Sequence, residues 1–407
     1  MHIAYVHQYF ATPRGSTGTR SYEFARRWAA AGHRVTVITS TAQLTAADVP
    51  GGDISRRRDF VIDGVRVIAL PVAYSQKMGK PARMAAFARF MLASTWTLLR
   101  LRDVDVVYAT STPLTVAVPA LVRRWLRKTP YIFEVRDLWP AVPVELGYLR
   151  NRWLIRALRG LERRAYLDSA GVVALSTGMR DAIAAVVAGR RDILVAPNCC
   201  DLDRFRPDLD GQKVRRKLGW EGRFVCLHAG AMGQVNGLDQ LIRVADRLRE
   251  DPAFLFVLAG DGRERPALVD QVRRRGLGNV RFVGGIPKHE LPAYFAAADV
   301  CLVTVAPHPV LEHNSANKLF DALSAGRPVA INYSGWQRDL LEAEQAGLGC
   351  ARGDEGAFAA NLRWLKDHPS ERAEMGRRAR LLAVTRFSRD RLAAEVLAFI
   401  QRLTAHG

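Results

Sequence analysis

Cysteine is scarce. The chain holds five in 407 residues (Cys199, Cys200, Cys226, Cys301 and Cys350), with no CxxC or CxxxH spacing of the kind that seats zinc. Three of them lie in or beside apolar, strand-like runs, which suits a reducing compartment. Long hydrophobic runs are missing too. The most apolar stretch, "MAAFARFMLASTWTLL" at 84–99, contains Arg89 and falls short of the roughly 20 residues a spanning helix needs. The amino end, "MHIAYVHQYF", shows no basic leader or cleavage site and reads as an opening strand; the chain is expected to stay inside the cell. A GxGxxG fingerprint is also absent. "GSTGTR" (15–20) and "GDGRER" (260–265) lack its spacing, and the second strand ends in "VITS" with no acidic residue for a ribose, which argues against an NAD enzyme.

Lysine is rare, with eight against 52 arginines, yet the net charge is +20. Residues 1–200 carry 29 basic against 14 acidic side chains, and residues 201–407 carry 31 against 26, so the amino half holds +15 and the carboxyl half +5. A basic half suits an anionic polymer or a membrane leaflet, where each basic side chain contributes about 1 kcal/mol. Here the basic residues sit among Trp, Phe and Leu in "RFMLASTWTLLRLR" (89–102), "RRWLRK" (123–128) and "RNRWLIRALR" (150–159), a mixture fitted to a membrane interface. The alternative is plain solvation of the surface. No helix-turn-helix, zinc finger or RNA-binding sheet motif supports nucleic acid.

Short β-rich runs alternate with amphipathic helical stretches, which predicts parallel sheets covered by helices. Seven strands are expected in the first half ("HIAYVH", "RVTVITS", "GVRVIAL", "VDVVYAT", "YIFEV", "GVVALS", "DILVAPN") and five in the second ("RFVCLHAG", "FLFVLAG", "NVRFVGG", "ADVCLVTV", "RPVAINY"). The break falls near "PNCCDLDRFRPDLDGQ", 197–212, where apolar periodicity lapses. In such sheets ligands gather at the carboxyl ends of strands. Three segments lie there. The glycines of "GSTGTR" allow close backbone approach before a helix start. "FEVRDLWP" (133–140) ends a strand in Arg136 and Asp137 before a proline, either as a local ion pair or cap or as a reactive carboxylate and cation.

The third segment is "HNSANKLFDALSAGRPVAI", 313–331. Asn314 or Ser315 is expected to cap its helix, with Leu319, Ala322 and Leu323 buried and Gly326 as the stop. Lys318 in the first turn opposes the helix dipole by roughly 0.3–1 kcal/mol. An i,i+3 pair with Asp321 returns only a few tenths of a kcal/mol. A diphosphate bound by Lys318 and free N–H groups would reverse the penalty, with Asp321 accepting hydrogen bonds from a ribose.

Several motifs together resemble one family. "YVHQYFATPRGSTGTRSYEFARRWAAAGHRVTVIT", "VAPNCCDLDRF", "HAGAMGQVNGLDQLI", the 313–331 helix and "FSRDRLAAEVLAFIQRL" resemble a family 4 glycosyltransferase of the GT-B fold nearly end to end. The wording of 133–140 and 317–336 is similar to the bacterial branch that builds O-antigen and capsule, N-acetylfucosamine-type transferases included. The resemblance implies an α/β chain of two Rossmann-like, doubly wound domains facing each other across a cleft: 1–197 toward acceptor and membrane, 198–387 for the nucleotide sugar, and a last helix, about 388–407, packing back on the first.

It further implies retaining transfer from a nucleotide diphosphate sugar, UDP-linked, without metal ion or cofactor. The acceptor would be a polyprenyl-diphosphate-linked saccharide at the inner face of the cell membrane, with no nucleic acid involved. Asp137, Arg136 and Lys318 are then catalytic. Gly15, Gly18, Arg20, Gly230, Asn236, Gly285, Ile286, His313, Ser315, Asn317, Lys318, Leu319 and Asp321 bind the nucleotide sugar, with the uracil and ribose between the 284–287 turn and Asp321. Departures from the family pattern are His313 in place of a Glu (Glu312 is one residue off), Ala231 and Asn236 in place of an Arg and a Lys, and Arg136 in place of a His. Other readings are a soluble transferase with a small-molecule acceptor, a sugar-nucleotide epimerase and a nucleic-acid binder.

Overall fold

The computed structural model describes residues 1–15, 18–54, 58–75 and 78–405. The chain divides into two compact units, residues 1–197 joined by the segment from Arg389 onward, and Asn198–Ser388.

The first unit runs β1 (His2–Val6), α1 (Arg20–Ala30), β2 (Arg34–Ser40), β3 (Asp59–Ile62), β4 (Val65–Leu70), α2 (Lys80–Arg100), β5 (Val106–Thr110), α3 (Ala117–Arg127), β6 (Tyr131–Val135), α4 (Ala141–Glu145), α5 (Arg152–Leu167), β7 (Gly171–Ala174), α6 (Thr177–Val187) and β8 (Ile193–Val195). Its strands lie in the order β3-β4-β2-β1-β5-β6-β7-β8, parallel except for β3. Strands β1, β5 and β6 are buried along their whole length, as befits a parallel sheet with helices over both faces.

The second unit runs α7 (Gln212–Leu218), β9 (Phe224–Ala229), α8 (Leu238–Arg247), β10 (Phe254–Ala259), α9 (Arg265–Arg275), β11 (Val280–Gly284), α10 (Leu291–Ala297), β12 (Val300–Val303), α11 (Asn317–Ser324), β13 (Val329–Ile331), α12 (Trp336–Ala343), β14 (Gly347–Gly349), α13 (Glu355–Asp367) and α14 (Pro369–Arg386). Its parallel sheet has the order β11-β10-β9-β12-β13-β14. Strand order therefore reverses between β1 and β5 in one unit and between β9 and β12 in the other, the switch points at which open α/β sheets bind ligands.

The last helix, α15 (Arg389–Thr404), belongs to the first unit. There Trp28 Nε1 of α1 donates to the Ala393 carbonyl at 2.9 Å. A Cβ on Gly171 would stand 2.8 Å from the Phe399 ring, so only glycine lets this helix lie against β7.

Two doubly wound α/β units are what the alternating patterns implied, with two strands added. Strand β3 pairs antiparallel with β4 through Asp63-Gly64, both at positive φ, the two-residue turn that Asp-Gly favours. Strand β14 is only Gly-Leu-Gly and packs too close to Val329 for a side chain at Gly347. No described helix is long and apolar enough to cross a membrane.

Candidate functional site

In the second unit the loops leaving β9, β10 and β12 are tied together by backbone. Gly230 N–H donates to Ala259 O and Met232 N–H to Asp261 O, both at 2.9 Å. A Cβ on Gly260 would overlap the Gly230 carbonyl, and one on Gly262 the Met232 carbonyl. The glycines of "GDGRER" thus serve close packing of two loops. On the other side Gly237, at φ +57°, would place a Cβ 2.6 Å from Val305 O. Thr304 Oγ1 donates to the Asn236 carbonyl at 2.8 Å. These contacts fix Asn236, whose side-chain oxygen accepts a 2.8 Å hydrogen bond from Lys318 Nζ on α11.

Lys318 retains some accessible surface, but protein crowds its ammonium, and this burial lowers its pKa from 10.5 to about 7. No carboxylate lies within ion-pair distance of it among the described residues. Helix α11 begins beside it without a side-chain cap, because Ala316 stands in the cap position. The expected cap, Ser315, is engaged elsewhere: its Oγ accepts from Asn198 N–H at 3.0 Å and its carbonyl from Asn198 Nδ2 at 2.6 Å. Asn314 gives its carbonyl to Trp336 Nε1 and its Nδ2 to Leu311 O. The first N–H groups of an uncapped helix have no intrahelical acceptor, so Asn317 and Lys318 offer amides where Lys318 offers a cation.

The remaining candidates of this unit fall as follows. Gly285 and Ile286 follow β11 directly, beside Gly284, whose carbonyl accepts from Gly260 N–H at 2.6 Å. His313 ends a short helical turn, Pro309–His313. Glu312, one residue before it, pairs with Arg352 at 3.2 Å. Asp321 sits half-buried one turn beyond Lys318. Leu319 is fully buried in the core and its N–H already donates to Ala316 O, which corrects the expectation that it serves a ligand.

In the first unit, Arg20 is buried and spent on structure. Its Nε donates to Glu134 at 2.9 Å, and its other nitrogens to the Ala196 and Pro197 carbonyls. Glu134 also accepts from Tyr108 Oη at 2.9 Å and Thr110 Oγ1 at 3.0 Å. The guanidinium is thereby committed to a buried strand hub, not to a phosphate. Arg136 N–H donates to Ser111 Oγ at 3.0 Å. Asp137 keeps an exposed surface, while crowding by surrounding protein raises its carboxyl to about 6 against the opposing pull of Arg136 and a Thr112 hydrogen bond. Gly15 N–H closes a turn on Thr12 O at 3.1 Å. Gly18 is exposed, and Ser16 and Thr17 between them lie outside the described residues. Asp103 and Asp105 flank the entrance of β5, where the Asp103 carbonyl and the Asp105 carboxylate bond His2. No three His, Cys, Asp or Glu side chains cluster for a metal among the described residues.

Sequence reading missed Thr304, the loop-packing glycines and His228, a buried base closing the otherwise apolar "FVCLHA" of β9. A polar residue inside such a run was the available signal.

A family model described as "Glycosyl transferase 4-like domain" matches residues 15–199, and one described as "Glycosyl transferases group 1" matches 210–382. The glycogen synthase of Mycobacterium tuberculosis is 26% identical over 391 residues, covering 90% of this chain and 86% of that protein. The putative colanic acid biosynthesis glycosyl transferase WcaI of Escherichia coli is 28% identical over 143 residues, 34% of this chain and 35% of its own. The Anabaena protein HepE, solved with UDP-glucose, superposes with a TM-score of 0.72 at 18% identity, over 99% of this chain and 100% of that one.

Proposed function

Because the chain belongs to the family 4 glycosyltransferases of the GT-B fold, we propose that it moves a sugar from UDP to a hydroxyl of a lipid-linked saccharide, with retention of configuration and without a metal ion. The observation that carries this reading is Lys318, a crowded cation with a neutral partner, at an uncapped helix start on a switch point. A diphosphate supplies the missing counter-charge. As the bond from the anomeric carbon to the diphosphate breaks, charge grows on the leaving oxygen, and Lys318 and the α11 amides stabilise it. The acceptor oxygen bonds to the same carbon on the same face, and its proton passes to the departing phosphate. Asp137 orients a hydroxyl and Arg136 adds positive charge near it. UDP as the nucleotide is supported by likeness to a fold solved with UDP-glucose, and a polysaccharide setting by the WcaI relative.

A lipid-borne acceptor is supported by three neighbouring helices of the first unit. Helix α3 packs against α2 and α5, and the three expose Trp96 (58%), Trp125 (53%) and Trp153 (72%), with Leu92, Leu126 and Leu154. The Arg100 guanidinium lies 4.2 Å over the Trp96 ring. Exposed aromatics among arginines suit the anionic inner leaflet of the cell membrane. The test supplies purified protein with UDP-sugars and a polyprenyl-diphosphate saccharide in anionic vesicles. UDP release that depends on both substrates is expected. Release of UDP with a free sugar acceptor alone overturns the lipid assignment, and donor conversion without any acceptor overturns transfer.

A further inference from the structure

His228 is a second base at the same place. It lies on β9 two residues before Gly230, fully buried, opposite Leu258 of β10 in register. Among the described residues neither ring nitrogen makes a well-formed hydrogen bond; the acceptor that acts on the ring is the Leu302 carbonyl of β12, which favours its protonated form. A Cβ on Gly230 would stand 3.5 Å from Lys318 Nζ and 3.7 Å from His228 Nε2, so ammonium and imidazole both border that α-carbon. Burying an imidazole this poorly satisfied is costly, and an apolar side chain would close this strand without that cost.

We infer that His228 and Lys318 form a two-base pocket that takes up a proton when a nucleoside diphosphate binds, so that His228 supplies a second positive charge where Ala231 and Asn236 supply none. The inference rests on the donor-site reading above. In the free protein the charge acting on the ring is that of Lys318 on α11. The flanking strands present Leu258 and Leu302, the loop offers neutral Asn236, and the acid on α11 is Asp321, one turn away. Two adjacent buried bases resist double protonation, and burial favours their neutral forms. A multiply charged anion at the start of α11 reverses that preference. The proton comes from solvent, settles on the imidazole nitrogen facing Gly230, and returns to solvent when the nucleotide leaves. Lys318 then keeps one N–H on Asn236 and has two more for phosphate oxygens.

The test is calorimetric titration of UDP, with inorganic pyrophosphate as a second probe, in two buffers of different ionisation heat at pH 7.5. At that pH the terminal phosphate of UDP, with a pKa of about 6, is mostly ionised, so proton loss from UDP would register as release, the opposite sign; UDP therefore reads proton uptake, and pyrophosphate reads binding alone. The wild-type chain is expected to take up a measurable fraction of a proton. In His228→Phe that uptake falls by more than half, and the UDP Kd weakens roughly tenfold at pH 6.5, the size of one charge-assisted hydrogen bond, with little change at pH 9. His228→Gln, which keeps a polar side chain, gives the same loss. Wild-type binding without proton uptake overturns the proposal whether or not the variants fold. Unchanged uptake in a folded His228→Phe overturns it while the donor site stands. Failure of the wild-type chain to bind either probe overturns the donor-site reading and this inference with it.

Discussion

Lys318 donates to the side-chain oxygen of Asn236 at 2.8 Å and meets no carboxylate among the described residues. A helix start that disfavours cations thus holds one whose protein partner is neutral. The arrangement is poor for stability and good for holding an anion.

The first prediction follows from that trade. The Lys318 pKa falls from 10.5 to about 7 on folding, so between those values the unfolded chain binds more protons and this group's contribution improves as pH rises. Below about 7 the cost is fully present. Lys318→Met should therefore raise the apparent melting midpoint of the ligand-free protein at pH 6.5 and change it little at pH 10.5. UDP affinity should fall about 10- to 100-fold, the worth of a charged hydrogen bond at 1.5–3 kcal/mol. Thermal scans at both pH values and a UDP titration check the pair of outcomes.

Gly260→Ala should damage the same site from behind. Its φ is +141° and the new methyl would overlap the Gly230 carbonyl, backbone against backbone. A loss of about 1–3 kcal/mol is expected, together with weaker UDP binding as the Gly230 loop shifts. Gly278→Ala, with open space around it, should stay within about 0.5 kcal/mol. Denaturant melts of the two variants decide the matter.

Arg20→Met should behave as a stability variant. It leaves Glu134 buried without its charge partner, a change that costs about 3–5 kcal/mol when one member of a buried pair is lost. The donor KM of whatever folds should match that of the wild type. A raised donor KM would restore Arg20 to the ligand.

Asp137 gives a pH signature. Its folded value of about 6 lies above the ordinary 3.8, so between those limits the native state keeps a proton that the unfolded chain has released. This group's contribution to stability therefore falls as pH rises through the window, and the cost is complete above 6. Asp137→Asn should melt higher than the wild type at pH 7.5 and equally at pH 3.5, while kcat drops at least 100-fold. The wild-type rate should decline on the acid side with an apparent pKa near 6.

Replacing Trp96, Trp125 and Trp153 together with Ser should abolish sedimentation with anionic vesicles and leave UDP affinity unchanged, since all three are exposed on the first unit. Residual wild-type binding should weaken with salt, as each basic side chain contributes about 1 kcal/mol by electrostatic attraction. Retention of vesicle binding by the triple variant would discard these tryptophans as the anchor.

What could be read beforehand depended on how local the physics was. Apolar runs such as "VVYAT" and "FLFVLA" declare buried parallel strands by composition alone, and Lys318 stood out because its conflict with the helix dipole lies within one turn. Long side chains and distant partners were not legible. Arg20 looks outward from a helix start in the sequence, yet its guanidinium reaches Glu134, 114 residues away. Ser315 has the chemistry of a cap, but Asn198, 117 residues away, claims it. Strand β3 was missed because its side chains alternate between buried and exposed, although Asp63-Gly64 marks the hairpin. His228 was not legible because its poorly satisfied ring and its nearness to Lys318 exist only once β9 and α11 are packed together.

The position of α15 sets a timetable for synthesis. A ribosome extends the chain at about 5–20 residues per second and domains fold as they emerge, so the second unit has its whole sequence in hand while the first still lacks the helix that shields Trp28 and fills the space over Gly171. The part made earliest is finished last. A fragment spanning 198–388 should fold alone, whereas one ending at 197 should leave the ribosome with an uncovered apolar groove and depend on chaperones or a separately supplied carboxyl-terminal peptide.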